Sequence, residues 1–255
     1  MKSMGQMTAM SPPGRRGPRS GCHHGFTIAE LVVTVVIVAI IIGIGAAISK
    51  HVDRAAHDAR AVEWTRRLAR AMTLFGAENG GEFPDVVRHE AHAAFMQGNM
   101  MQPGSTPPED SATANFSALI GGGFYSEESI YFLDGEFSAE RDPCTPPDGN
   151  PETPILAQNI AWAYICGQDK DSPGGMPVVM TRGETTGEAQ RWPGVEGRVG
   201  GALGDRIAVG FVDKSSRLIE LDRDGAARDG AGRDITSSSD DGQYRYDGDV
   251  RILQP

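Results

Sequence analysis

The chemistry available to this sequence is concentrated where a cleavable peptide bond, an incipient amine and a carboxylate come together, in Gly25-Phe26-Thr27-Ile28-Ala29-Glu30. Residues 31–48 follow with no charge, and Thr34 is their one polar side chain. That run reaches the length of a membrane-crossing helix. A carboxylate at the bilayer centre costs about 2.5–3.5 kcal/mol on insertion scales, so Glu30 needs a partner. Cleavage between Gly25 and Phe26 would create one. The new amine of Phe26 would lie one helical turn from Glu30, on the same face. It could meet Glu30 of its own chain or of a neighbour. It would then set the stagger of packed helices, because a misregistered copy leaves a charge unpaired. An ordinary secretory signal is cut after its apolar segment, whereas here the small–aromatic pair precedes it. Two plainer readings use the same residues. One is a signal-anchor with Glu30 among the headgroups. The other is a signal peptide cut near Ala46 or Ala47, for which the run is long and the flanks are wrong.

Three other constellations could carry chemistry. Asp222, Asp224, Asp229 and Asp234 lie in a Gly-rich run. Alternating Asp around Gly can wrap calcium in oxygen ligands, so Asp222, Asp224 and Asp229 are candidate ligands. Arg233 stands where the closing Glu of a twelve-residue loop would be, and a solvated acidic loop is the alternative. His89-Glu90-Ala91-His92 places its histidines three apart, whereas the zinc-protease helix needs four; a solvated helix face fits it better. Cleavage after Gly25 would remove Cys22 and leave Cys144 and Cys166. An even pair in an exported domain is a disulfide candidate; two unrelated buried thiols is the other reading. There is no nucleophile elbow, phosphate loop or dinucleotide fingerprint, so no enzyme is expected.

These residues need elements to position them. The formal net charge is −10. Residues 1–25 hold Lys2, Arg15, Arg16 and Arg19 and no acid, so the rest of the chain carries the whole acidic excess. This asymmetry suggests membrane topology and argues against a nucleic-acid partner. Cations upstream, against mixed charge downstream, keep the N-terminus in the cytoplasm and export the body. The helix should run from Phe26 to about Glu78. Residues 26–48 form its transmembrane half, with Gly43 and Ala47 spaced for close helix packing. Residues 49–79 form an amphipathic continuation with Val52, Ala55, Leu68, Met72 and Phe75 at spacings of threes and fours. Gly80, Gly81 and Pro84 stop it. Residues 80–255 read as a loop-rich β domain. A short helix is expected at 89–97, and strands at 129–133, 155–165, 176–181, 206–212, 217–221 and 250–253. Trp64, Trp162 and Trp192 read as core or interface residues, and no internal repeat is evident. The predicted class is α+β, a long N-terminal helix packed on a C-terminal antiparallel sheet.

With leader, cut and apolar helix in series, the sequence resembles the type IV pilin superfamily, which includes the pseudopilins of type II secretion. The matching residues are Gly25, Phe26, Glu30, Leu31 and the apolar helix. The exit Asn79-Gly80-Gly81-Glu82-Phe83-Pro84 is similar to that of the major pseudopilin. The likeness covers residues 25 to about 85. It implies a prepilin peptidase that cuts after Gly25 and methylates the Phe26 amine, which keeps its charge. It also implies calcium in a late loop, other pilin or pseudopilin subunits as partners, inner-membrane assembly machinery and the lipid bilayer. The expected location is the bacterial inner membrane as a single pass, with the body periplasmic or extracellular, and a filament after assembly. The leading expectation is a structural subunit of a type IV pilus or secretion pseudopilus. The alternatives are a minor or tip pilin with an adhesive or substrate-binding body, and a membrane-anchored periplasmic enzyme or binding protein.

Overall fold

A computed structural model of the protein describes residues 27–89, 91–92, 95, 111–125, 127–133, 155, 157–186, 189–191, 203–236 and 251–254. The chain divides into two units, Met1–Lys50 and His51–Pro255. Helix α1 spans Ile28–Glu78 and supplies the described part of the first unit. Its side chains are described up to Ile44 and again from Val52. Among the described residues no helix is long and apolar enough to cross a membrane; the apolar run itself continues to Ile48 in the sequence.

In the second unit, residues 51–78 of α1 present Ala61, Thr65, Leu68, Met72 and Phe75 as a fully buried stripe, the expected amphipathic face. The helix ends where the sequence says it should. The Asn79 side chain donates to the Phe75 carbonyl at 2.8 Å, and the Gly81 amide donates to the Gly76 carbonyl at 2.7 Å. A second helix, α2 (Ala112–Gly121), is capped by the Ser111 hydroxyl, which accepts from the Ala114 amide at 3.1 Å. The strands are β1 (Trp162–Cys166), β2 (Pro177–Thr181), β3 (Glu184–Thr186), β4 (Ala189–Arg191), β5 (Arg206–Phe211), β6 (Ser216–Glu220) and β7 (Arg251–Leu253). Five form one antiparallel sheet in the order β6-β5-β2-β1-β7, and β3 and β4 pair separately. The class is therefore α+β with an antiparallel sheet.

Register decides what each face meets, because directly paired residues share a face. Tyr164, Val179 and Gly210 are aligned across β1, β2 and β5, with Ser216 of β6 beside Gly210. This face takes α1: a side chain on Gly210 would lie 2.7 Å from the Thr65 carbonyl oxygen, and the Thr65 and Ser216 hydroxyls are hydrogen-bonded. Arg206 of β5 also reaches Asp58 of α1 at 2.8 Å. The opposite face, with Ile165, Val178, Met180, Ile207 and Val209, is buried as well. One helix on one face would leave alternating burial. Here β1 and β2 are buried at every position, and Ala227 and Ile235 from the segment after β6 belong to the same core.

Two expected strands need correction. Residues 129–133 are not a strand; a 3-10 turn occupies Glu128–Ile130, and the Ile130 carbonyl accepts from the Trp162 indole at 2.6 Å. Residues 155–161 precede β1, because its partner β2 ends at Thr181, opposite Trp162. Helix α2 and the β3–β4 hairpin were not anticipated. The helix expected at 89–97 is seen at Ala91, His92 and Phe95, and its other positions from 90 onward lie outside the described residues. Trp162 is core, Trp64 is half-buried beneath Arg60 at 5.8 Å, and Trp192 lies outside the described residues.

Overpacking a close helix–sheet contact costs about 1–3 kcal/mol. Gly210→Ala should lower the stability of the body by that amount in a denaturant titration. Gly43→Ala, where an added methyl meets nothing within 4 Å, should leave it unchanged.

Candidate functional site

Helix α1 begins with a reciprocal cap. The Glu30 amide donates to the Thr27 hydroxyl at 3.2 Å. The Thr27 amide and hydroxyl donate to Glu30 Oε2 at 2.8 and 2.9 Å. This is a capping box, Thr-x-x-Glu, and it satisfies backbone donors that the first helical turn leaves over. The spacing was legible in the sequence, but attention to the charge of Glu30 hid its second role. Both Thr27 bonds fall on Oε2, and among the described residues Oε1 of Glu30 accepts no hydrogen bond. The Thr34 hydroxyl donates to the Glu30 carbonyl at 2.7 Å, so the one polar side chain of the run turns back onto its own helix. Gly25 and Phe26 lie outside the described residues.

Beyond the cap the helix is apolar and exposed on every face. Leu31, Val32, Val33, Val35, Val36, Ile37, Val38, Ile40, Ile41, Ile42 and Ile44 are each about half exposed, between 47% and 65%. Consecutive positions of a helix point in all directions. No described part of the chain therefore covers this rod on any side.

The Asp residues after β6 form two copies of one turn, seven residues apart. Asp222 Oδ1 accepts from the amides of Asp224 and Ala226 at 2.9 and 2.8 Å. Asp229 Oδ1 accepts from the amides of Ala231 and Arg233, both at 2.9 Å. In each copy the glycine three residues on, Gly225 or Gly232, has positive φ and donates to the Asp carbonyl. A guanidinium closes each turn: Arg228 Nε reaches Asp222 Oδ2 at 2.6 Å, and Arg233 reaches Asp229 Oδ2 through Nε at 2.8 Å and its terminal nitrogen at 2.6 Å. Only aspartate and glycine recur at this seven-residue spacing, too few positions for a repeat to be evident in the sequence. Asp222 and Asp229 do not fit a calcium shell: their oxygens are engaged by amides and guanidinium groups, and a cation there would have to displace an arginine. Among the described residues no group of three or more His, Cys, Asp or Glu is placed to hold a metal.

A third cluster surrounds Asp85, which is 3% exposed. Its amide donates to His92 Nδ1 at 3.1 Å. Its carboxylate accepts from the Arg88 amide at 3.0 Å and lies 3.7 Å from Arg251 of β7. Burial and the adjacent His89 push His92 below the ordinary histidine range. Cys166 is a buried free thiol, and Cys144, its expected partner, lies outside the described residues. Burial, then Asp85, push the Cys166 thiol up to about 12, so it is a poor nucleophile. His89 and His92 stand with ring centroids 4.6 Å apart, but His89 Nε2 faces Glu82 at 3.0 Å and His92 is spent on Asp85. This cluster ties β7 to the exit of α1.

Comparison with protein-family models, with curated proteins and with solved structures found no match.

For Asp222 and Asp229, burial alone would raise the carboxyl pKa, but the amide and guanidinium hydrogen bonds outweigh it and hold both below the ordinary value of 3.8. A depressed folded-state pKa contributes stability that is complete above the unfolded value and lost as pH falls through the folded one. The turns should therefore loosen below about pH 4, seen as faster amide exchange at Ala226 and Arg233. Asp222→Asn and Asp229→Asn should start looser and flatten that dependence.

Proposed function

We infer that this chain is a structural subunit of a type IV pilus-like or type II secretion pseudopilus filament, processed by a prepilin peptidase and assembled through α1. The observation that carries this reading is the apolar rod after Glu30, exposed on all its faces. Such a surface is stable only in lipid or against other apolar helices. A subunit that waits in the inner membrane and is then drawn into a helical bundle meets both needs in turn. Gly25 and Phe26 supply the cut. Thr27 and Glu30 start the helix, and Glu30 Oε1 is the acceptor left for the amine that the cut creates. Because that amine exists only after cleavage, processing switches on the contact that sets register. The body of residues 80–255 then decorates the filament. An adhesive tip subunit would share these N-terminal features, and a merely tethered enzyme would not need Glu30.

Intact mass and N-terminal sequencing of the protein from its host should give a chain that begins at N-methylated Phe26. A mature protein that begins at Met1, or beyond Ile48, contradicts the reading. Glu30→Ala should leave export and the melting of the body unchanged while filament yield falls by about tenfold or more, the size expected for about 1.4 kcal/mol per subunit contact. Unchanged filament yield would favour the tethered alternative.

A further inference from the structure

On the sheet face turned away from α1, Arg217 of β6 is paired with Val209 of β5. Its guanidinium lies 4.7 Å from the centre of the buried Phe211 ring. A guanidinium stacked on an aromatic face keeps its in-plane donors, and among the described residues those of Arg217 meet no acceptor. They border a cavity of about 350 Å³. The β5–β6 turn lines it with Asp213 and Ser215, the loop before β2 with Gly175, and the second aspartate turn with Gly230 and Ala231. Backbone bonds tie the first two walls together: the Asp213 amide donates to the Gly174 carbonyl at 3.1 Å, and the Val212 amide to the Met176 carbonyl at 2.9 Å. The cavity is therefore formed by the fold itself. Two features set it apart from ordinary surface. The first is its charge. Asp213 Oδ1 accepts from the Ser215 amide at 2.8 Å, whereas Asp213 Oδ2 and the Ser215 hydroxyl have no hydrogen bond among the described residues. Arg233 and Asp229, also on the wall, neutralise each other. Arg217 and Asp213 thus line one cavity with opposite charge and do not pair with each other. The second is a difference between the tandem turns. Asp222 is followed by the exposed charges of Arg223 and Asp224, but Asp229 is followed by Gly230 and Ala231. The turn that borders the cavity carries nothing beyond a methyl at those positions, and a side chain on Gly230 would meet nothing within 4 Å.

We propose that this cavity binds an acidic monosaccharide, free or at the end of a glycan chain, with its carboxylate on Arg217 and its ring hydroxyls on Asp213 and Ser215. A guanidinium held by its face presents parallel donors that match the two oxygens of a carboxylate. Asp213 Oδ2 can accept from a sugar hydroxyl, and the Ser215 hydroxyl can donate to or accept from another. An α-amino acid fits less well. Its ammonium and carboxylate are adjacent, and they suit an arginine and an aspartate close enough to pair, which these are not. A sugar acid sets its carboxylate and its remote hydroxyls further apart. The volume is at the lower end for ligand sites and holds a single ring. The site does not depend on how the chain assembles.

The test is isothermal titration of the full chain in detergent micelles with sodium galacturonate. A Kd of about 1 mM is expected, the strength available to a ligand of this size. Galactose, which lacks the carboxylate, should bind about tenfold more weakly or worse, because the bidentate charge-assisted contact is gone. Arg217→Gln should weaken galacturonate by about the same factor, with the melting of the body unchanged. Asp213→Asn, which leaves Arg217 stacked on Phe211, should weaken it as well and keeps the test open should the Arg217 variant unfold. Equal affinity for galacturonate and its methyl glycoside supports the site with a chain end as the natural ligand; weaker binding of the glycoside supports it with the free sugar. No binding at about 10 mM galacturonate overturns the proposal. So does acetate or alanine binding as tightly as galacturonate, or unchanged affinity in the folded variants. None of these results bears on the filament reading.

Discussion

An apolar helix that the described residues leave uncovered sets the terms for everything else in this protein. A dozen aliphatic side chains between Ile28 and Ile44 remain about half exposed or more. Each is worth about 1.5–3 kcal/mol when fully buried. The part left unburied is therefore on the order of 10 kcal/mol, similar to the whole stability of a typical domain, about 5–15 kcal/mol. A segment carrying that much exposed apolar surface must find lipid or other helices. The placement of the basic residues upstream of the run and the identity of Glu30 fit that demand. The capping box adds a second constraint: in a medium without water the first amides of a helix cannot be left bare, and Thr27 and Glu30 satisfy them from within the chain.

The same helix has a different obligation further along. Past residue 51 one stripe is buried on the sheet, and Gly210 lets the Thr65 carbonyl approach closer than any side chain would allow. Arg206 and Asp58 fix the edge of that contact at 2.8 Å. Below the exit, the Asp85 amide donates to His92 while its carboxylate meets the Arg88 amide and faces Arg251, so one residue links the turn after α1 to β7. The second face of the sheet is closed as well, which a helix on one face cannot do. The tandem aspartate turns contribute Ala227 and Ile235 to that closure, with arginines as their fixed counter-ions.

What could be read in the sequence followed from periodicity and punctuation. The amphipathic stripe through Leu68, Met72 and Phe75 announced a buried face, and Asn79-Gly80-Gly81 announced the exit. Strands β5 and β6 were plain from the apolar runs at 206–212 and 217–221 on either side of a short polar turn. Helix α2 was missed because nine of its ten residues are buried, so it shows no polar face and no helical period. The strand expected at 129–133 was misread because its apolar residues point into the core from a turn, which alternation cannot distinguish from a strand. The second role of Glu30 was hidden because one residue carried two signals, a charge beside an apolar run and the last position of Thr-x-x-Glu. The calcium reading of Asp222, Asp224 and Asp229 rests on carboxylate spacing, which does not reveal that amides and the guanidinium groups of Arg228 and Arg233 occupy Asp222 and Asp229.

The most direct test of the account is the solvent exposure of the rod in the assembled or membrane-bound protein. A cysteine at Ile40, in the full chain within intact host membranes, should resist a water-soluble maleimide, as read by peptide mass. One at Asp205, whose side chain is 77% exposed, should react readily. Solubilising the membrane with denaturant should make the two equal. If the cysteine at position 40 labels as fast as the one at position 205 before solubilisation, the rod is standing in water and the account is wrong.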